Sequence, residues 1–292
     1  MQDYELSELV AGLLELKQHT VAAHPELLAV EAAHGTAFHR GLGTNIVEIP
    51  FEKYVSVDSL AEFAESAYSK PNVALVANGP SSDDLSKWVG DFFKDLPNQS
   101  GSGAFKVQSE ASKYYGGEAR IASKSGNSIV IAFPGSSEFG SAGYKPEISV
   151  LAALLGGEST IKWTPGFSLL SKATEGFAGT KAVASSLSYS DAGLLTITVS
   201  GSKVGDASKS VVDAIKKVAA GEVPSEDVKK AAAYAKLNAL ESVQNISSGL
   251  EVTGAALLNG TKPSDAGEII QAIDGVSAEQ VKEVSQFIII RP

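Results

Sequence analysis

Apolar residues recur at every third or fourth position along most of this chain, a period typical of amphipathic helices. Leu6, Leu9 and Leu13 share one helical face, and Pro25 opens the next segment, so the first 40 residues predict two helices. Further helices are predicted over residues 59–68, 85–96, 145–155, 206–219, 225–244, 247–258, 265–273 and 277–286.

Two of these helices carry more detailed expectations. Ser59 followed by Glu62 predicts a capping box at the start of the helix over 59–68. The next helix carries an apolar stripe, which we expect to be core rather than a cofactor surface. The stripe consists of Leu85, Trp88, Val89, Phe92, Phe93 and Leu96.

Alternating or continuous apolar runs predict the strands. They are expected over residues 71–77, 118–122 and 128–133, and in a hairpin of residues 182–189 and 194–200. Residues 287–290 could form a short strand or be the product of truncation. The mixture predicts an α+β fold with helices packed on a mainly antiparallel sheet.

A helix start is repeated within the chain. Val55–Phe63 aligns with Val276–Val284, 221 residues further on, with three identical positions. A repeat of this period predicts two homologous domains, the first incomplete. We expect the second half of the first domain at 1–96, a linker at 97–112 and the second domain at 113–292, possibly without its last strand and helix. An incomplete first domain should expose apolar surface and self-associate.

The amino-acid composition excludes several kinds of site and partner. The 292 residues contain no cysteine, so disulfides and thiolate metal sites are excluded. The net charge is −10, and residues 1–100 hold 15 Asp/Glu against 6 Lys/Arg. This acidic balance argues against a nucleic-acid partner, because phosphate neutralisation needs basic residues. No apolar run is long enough for a membrane span, which predicts a soluble or peripheral protein.

Candidate chemistry is sparse. The four histidines lack the spacing of a zinc-peptidase helix, so we expect His34 to be a core or capping residue. Gly41-Leu42-Gly43 lacks the third glycine of a dinucleotide loop. Ser200-x-x-Lys203 lacks the partner motifs of a serine acyl enzyme. We predict no catalytic residue, no metal site and no cofactor.

One long connection stands out between two predicted helices. It has glycines at both ends and a Trp-Thr-Pro-Gly turn, and long ordered loops are often functional. It is either an interface or vestigial peptide-binding loop, or a plain connection anchored by its tryptophan. The candidate residues are Gly156, Gly157, Lys162, Trp163, Pro165 and Gly166.

Three ordered motifs point to a family. They are Ala32–Phe38 with Gly41–Asn45, then Tyr115–Arg120, then Val150–Gly157. In order and spacing they resemble the mitochondrial processing peptidase family, whose members contain two homologous α+β domains. The resemblance covers nearly the whole chain. It implies that the H-x-x-E-H helix of catalytic members would correspond to a position upstream of Met1.

The loop after Gly157 is poorer in glycine than that of presequence-binding α subunits, and resembles that of the non-catalytic members. The resemblance therefore implies a structural core subunit of the cytochrome bc1 complex, peripheral to the matrix side of the mitochondrial inner membrane. Implied partners are core subunit 1, the other subunits of that complex and a second copy of this chain.

Two alternatives stay open. The first is a presequence-binding α-type subunit that uses the loop at 156–166 and the acidic first half. The second is a fragment of an active zinc peptidase whose H-x-x-E-H lies upstream.

Overall fold

The computed structural model describes residues 2–45, 55–99, 110–157, 168–263 and 265–290. The chain packs into two compact units. Unit 1 comprises Met1–Lys17, Glu48–Glu110 and Ser242–Ser264. Unit 2 comprises Gln18–Val47, Ala111–Glu241 and Asp265–Pro292. The boundaries expected at 96 and 113 stay a prediction, because compact units report packing rather than homology.

The helices follow the apolar periodicity closely. A π-helical turn, Glu5–Val10, leads into α1, and short 3-10 turns lie at Gly41–Gly43 and Lys70–Asn72. The α-helices are α1 (Ala11–Ala23), α2 (Pro25–Phe38), α3 (Val57–Ala67), α4 (Ser82–Phe92), α5 (Pro146–Leu155), α6 (Leu169–Thr174), α7 (Val204–Ala220), α8 (Ser225–Gln244), α9 (Ile246–Leu258), α10 (Ala266–Asp274) and α11 (Ala278–Ile290).

Three strands form the sheet of unit 2. They are β1 (Ser128–Pro134), β2 (Thr180–Ser188) and β3 (Gly193–Gly201). All pairings are antiparallel and the order is β1-β3-β2, so the predicted hairpin and the strand at 128–133 are confirmed. Ile197 of β3 lies opposite Ile131 on one side and Ala184 on the other.

Both faces of this sheet are covered, because side chains alternate between faces along a strand. Leu195, Ile197 and Val199 face the main core with α5, α7 and α11. Leu194 faces the other way and packs with Ala37 and Phe38 at the end of α2. The main core also contains Ile148, Val150, Leu151, Leu155, Leu170, Val211, Ile215, Val218, Ile273 and Val281.

Two predicted strands are wrong. Residues 73–77 and 118–122 have no ladder partner in the described part of the chain. At Val73 the backbone is extended, with φ −122° and ψ 126°, but it has no ladder partner. Two smaller predictions are also wrong. The capping box of α3 is formed by Ser56 and Ser59, one turn before the predicted pair. Residues 287–290, for which a short strand was one expectation, continue α11 as helix.

Unit 1 contains α3, α4 and α9. Among its described residues only Ser66, Ser69 and Ala256 are buried. The prediction that the α4 stripe is part of a core is therefore wrong, because Trp88, Phe92 and Phe93 are exposed.

Within the ranges that the structure describes, no helix combines the length and apolarity needed to cross a bilayer.

Candidate functional site

The candidate loop begins where α5 ends. Pro146 starts this helix, and its apolar residues Ile148, Leu151 and Leu155 are fully buried, so its end is held rigidly against the core. Gly156 then terminates the helix with φ +67°. A Cβ on Gly156 would lie 2.4 Å from the Cβ of Ser168, so this position requires glycine for both conformation and space.

The two ends of the loop are joined. The carbonyl of Gly157 accepts hydrogen bonds from the hydroxyls of Ser168 (2.9 Å) and Ser171 (2.5 Å). The carbonyl of Gly156 accepts from the Ala184 amide of β2 at 2.8 Å. These bonds close the loop at its neck and attach that neck to the edge strand of the sheet.

Only part of the predicted site can be placed. Gly156 and Gly157 form the neck, while Lys162, Trp163, Pro165 and Gly166 lie outside the described residues. Their role as interface or peptide-binding residues stays a prediction. Whatever the loop contacts, its entry and exit are fixed in one place by the neck.

Sequence reasoning missed the two serines that complete the neck. Ser168 caps α6 by accepting a hydrogen bond from the Ser171 amide at 3.2 Å. A serine before a helix start is a recognisable capping signal. The sequence could therefore have placed the cap, but its second bond, to Gly157, depends on tertiary packing.

A second polar cluster ties α2 to the β2–β3 turn. The His34 Nδ1 lies 2.8 Å from the Val30 carbonyl, and its Nε2 lies 2.6 Å from the Tyr189 hydroxyl. In the neutral imidazole, the nitrogen that bonds a carbonyl must carry the proton, so Nδ1 donates to Val30 and Nε2 accepts from the Tyr189 hydroxyl. Burial raises the pKa of the Tyr189 phenol, and the charge of Glu31 raises it further. His34 is therefore a half-buried, hydrogen-bonded residue in the middle of α2, and it is neither the core residue nor the helix cap that we predicted.

The weaker sequence motifs have structural roles. Gly43 lies in a 3-10 turn, where a Cβ would meet the His34 carbonyl oxygen at 3.0 Å. Ser200 is buried in β3, and the Lys203 amide donates to the Thr180 hydroxyl at 3.0 Å. In the part of the chain that the structure describes, no group of three His, Asp or Glu residues could hold a metal ion.

The geometry of unit 2 defines an α+β module with helices on both faces of an antiparallel sheet and one loop pinned at its neck. Residues 54–234 match the family model described as the peptidase M16 inactive domain. The match covers more than half of the sequence, and the chain belongs to this family. This confirms the family resemblance deduced from the three motifs.

Individual relatives give a narrower comparison than the family model. The chain is 44% identical, over 97% of its length, to the mitochondrial cytochrome b-c1 complex subunit 2 of Neurospora crassa, of which it covers 62%. It is 34% identical to the protein of that name from Cryptococcus neoformans var. grubii, with 97% of the chain and 63% of the relative covered. The chain thus spans about three fifths of the length of these curated relatives.

A solved structure supports the fold. A chain of complex III2 from Candida albicans superposes with a TM-score of 0.78, covering 95% of this chain and 67% of that one. The sequence identity of that pair is 17%. At this level of identity the likeness establishes a shared fold and nothing narrower.

Proposed function

We propose that this chain belongs to a non-catalytic core subunit of the mitochondrial cytochrome b-c1 complex, of the subunit 2 type. The observation that carries the proposal is the 44% identity to the Neurospora crassa subunit, which extends over 97% of this chain. The match to an inactive peptidase domain supports a structural rather than a hydrolytic role.

Two buried hydroxyls of unit 2 are hydrogen-bonded within its core. Thr174 donates to the Leu170 carbonyl and Ser136 donates to the Ser137 carbonyl. Such satisfied groups stabilise one conformation of the core. In our proposal the subunit lies on the matrix side of the inner membrane and contacts core subunit 1, other subunits of the complex and a second copy of itself.

Affinity purification of the whole gene product from its own mitochondria tests this proposal. The protein would carry a C-terminal tag and be extracted in a mild detergent. We expect b-type and c-type haem spectra to co-purify in fixed ratio to the tagged chain. Recovery of a haem-free matrix protein that binds zinc stoichiometrically and cleaves presequence peptides would contradict the structural role.

Presequence binding is the second candidate. Its support is the pinned loop together with the acidic first hundred residues, which would attract a basic peptide. The chain contains two tryptophans, and Trp163→Ala should abolish salt-sensitive binding of a fluorescent presequence peptide if the loop is the site. Trp88→Ala is the matched control. Under the structural proposal, the peptide binds neither the wild-type chain nor the variants.

A further inference from the structure

The sequence contains the dipeptide Asn-Gly twice, at Asn78-Gly79 and at Asn259-Gly260. An asparagine followed by glycine can lose its side-chain amide without an enzyme, because glycine has no side chain to shield the backbone nitrogen that attacks. Both pairs belong to unit 1 and both are exposed. Both glycines have positive φ, +110° for Gly79 and +65° for Gly260, and a Cβ on either would meet nothing within 4 Å. The two sites are therefore matched in dipeptide and in exposure.

Asn259 lies at the end of helix α9, where hydrogen bonds hold the backbone. The Gly260 amide donates to the Leu257 carbonyl at 3.3 Å. The Thr261 amide donates to the Ala256 carbonyl at 2.9 Å. The nitrogen that would attack the Asn259 side chain is thus already a donor in the helix end, and the next amide along the chain is fixed as well.

The backbone angle at Asn259 also opposes the reaction. Ring closure joins the side-chain Cγ to the next backbone nitrogen, so Cβ and that nitrogen must be nearly eclipsed about the Cα–C bond. Asn259 has φ −80° and ψ −3°, which turns its Cβ away from the Gly260 nitrogen. Rotation about this bond moves Gly260 and Thr261 and breaks both of their hydrogen bonds. The reaction at Asn259 therefore requires the helix end to open first.

Asn78 lies in the connection before helix α4 and lacks these restraints. Among the residues that the structure describes, no backbone amide of residues 74–79 has a hydrogen-bond partner. Pro80 follows and has no N–H, so it cannot make the bond that Thr261 makes at the other site. No hydrogen bond of the described chain has to break before the Gly79 nitrogen approaches the Asn78 side chain.

We propose that Asn78 is a site of spontaneous deamidation in this protein, and that the end of α9 protects Asn259 from the same reaction. The Gly79 nitrogen loses its proton to water and forms a bond to the Cγ of Asn78. The bond from Cγ to the side-chain nitrogen breaks and ammonia leaves, which gives a cyclic succinimide. Water then opens the ring at either carbonyl and leaves aspartate or isoaspartate. The reaction needs only water as a co-reactant.

The product changes the connection that leads into helix α4. It adds one negative charge, and the isoaspartate form also lengthens the main chain by one methylene group. Ser81 caps this helix by accepting a hydrogen bond from the Asp84 amide at 3.2 Å. The described part of the connection has no hydrogen bond to lose, so we expect the helix and its cap to persist. Deamidation at Asn78 thus marks older copies of the chain without unfolding them.

Incubation of the purified full chain near neutral pH in heavy-oxygen water tests the proposal. Ring opening inserts one labelled oxygen, so mass spectrometry of the digested chain detects only events that occurred during the incubation. Methyl transfer from labelled S-adenosylmethionine by an isoaspartyl methyltransferase reports the isoaspartate separately. We expect deamidation at Asn78 to be at least about tenfold faster than at Asn259, because opening the helix end breaks two hydrogen bonds. A rate at Asn78 no higher than that at Asn259 would overturn the proposal.

Two substitutions separate hydrogen bonding from local sequence. Thr261→Pro gives the second site the Asn-Gly-Pro sequence of the first and removes the amide that bonds Ala256. We expect it to raise the rate at Asn259 severalfold. Pro80→Thr gives the first site the sequence of the second, and the rate at Asn78 should stay within about twofold of the wild-type rate. An unchanged rate at Asn259 in Thr261→Pro, or a rate at Asn78 in Pro80→Thr as low as that of wild-type Asn259, would refute protection by the helix end.

Unfolding in concentrated urea provides a second control. The helix end is lost there, so Asn78 and Asn259 of the wild-type chain should deamidate at rates within about threefold of each other. A tenfold difference that persists in urea would come from the sequence alone and would contradict the structural explanation.

Discussion

Units 1 and 2 contain the same kind of amphipathic helix but differ in what covers the apolar face. In unit 2, α5 and α7 lie on a sheet, and Leu151, Leu155 and Ile197 are completely buried. In unit 1, α4 carries a comparable stripe, yet Phe92 remains 79% exposed. No strand occurs among the described residues of unit 1. The comparison shows that helix periodicity predicts which face is apolar but not whether a second layer covers it.

The largest expected effect comes from truncating a leucine in each unit. Leu151 in α5 has no exposure, and Leu257 in α9 is 51% exposed. We expect Leu151→Ala to lower the free energy of unfolding by about 2–5 kcal/mol, because it leaves a cavity. Leu257→Ala should cost less than about 1 kcal/mol. Urea unfolding of both variants measures the change in the free energy of unfolding. Equal changes would contradict the difference that we infer between the two units.

The next largest loss of stability is expected from a substitution at the loop neck. Gly156→Ala places a Cβ 2.4 Å from that of Ser168 at a φ of +67°. The strain and the shift of Ser168 should destabilise unit 2 by about 1–3 kcal/mol. Gly176→Ala is the control, because a Cβ there meets nothing within 4 Å. Thermal unfolding of the two variants compares them, and an unchanged Tm for Gly156→Ala would show that the neck is not rigid.

Exposed apolar residues on α4 should make the isolated chain associate. Phe92→Glu introduces a charge into this stripe and should weaken self-association roughly tenfold, which corresponds to about 1.4 kcal/mol. Ser86→Glu adds the same charge to the same helix at an exposed polar position. Sedimentation over a range of concentrations measures the association. A monodisperse wild-type monomer at high concentration would contradict the expectation.

The smallest effect concerns the Tyr189–His34 hydrogen bond. Tyr189→Phe should cost about 1 kcal/mol at neutral pH, because the Nε2 of His34 loses its donor. Tyr234→Phe, at an exposed position, is the control. Urea unfolding near neutral pH measures the loss in the free energy of unfolding for both variants. Equal losses would show that the Tyr189–His34 hydrogen bond does not stabilise the fold.

Tyr189 also makes stability depend on alkaline pH. Its pKa in the folded chain is raised above the ordinary 10.0, so the unfolded chain loses this proton first as the pH rises. Its contribution to stability is therefore intact below pH 10.0 and is lost as the pH climbs through the folded-state pKa. Tyr189→Phe should show a shallower decline in the free energy of unfolding above that pH, and an unchanged slope would contradict the shift.

The sequence was most informative where local pattern alone decides structure. Residues 225–244 were predicted as a helix and form α8 over the same span, and the hairpin at 182–189 and 194–200 is present. The strands at 71–77 and 118–122 failed because a strand also requires a partner, which is a tertiary property. The glycines of the loop were recognisable, but the neck required Ser168 and Ser171 to approach from another helix.

The central claim is our proposal that this chain supports an assembly, and the exposed stripe of α4 leads us to expect that this face is covered there. Hydroxyl-radical footprinting of Trp88 in the free full chain, at a concentration below that of its self-association, and in the purified respiratory complex tests it most directly. Trp88 is 49% exposed in the free chain, and Phe287 of unit 2, 61% exposed, serves as the reference. The account predicts that Trp88 oxidation falls severalfold on assembly. An unchanged rate, or failure of the chain to enter the complex, would contradict it.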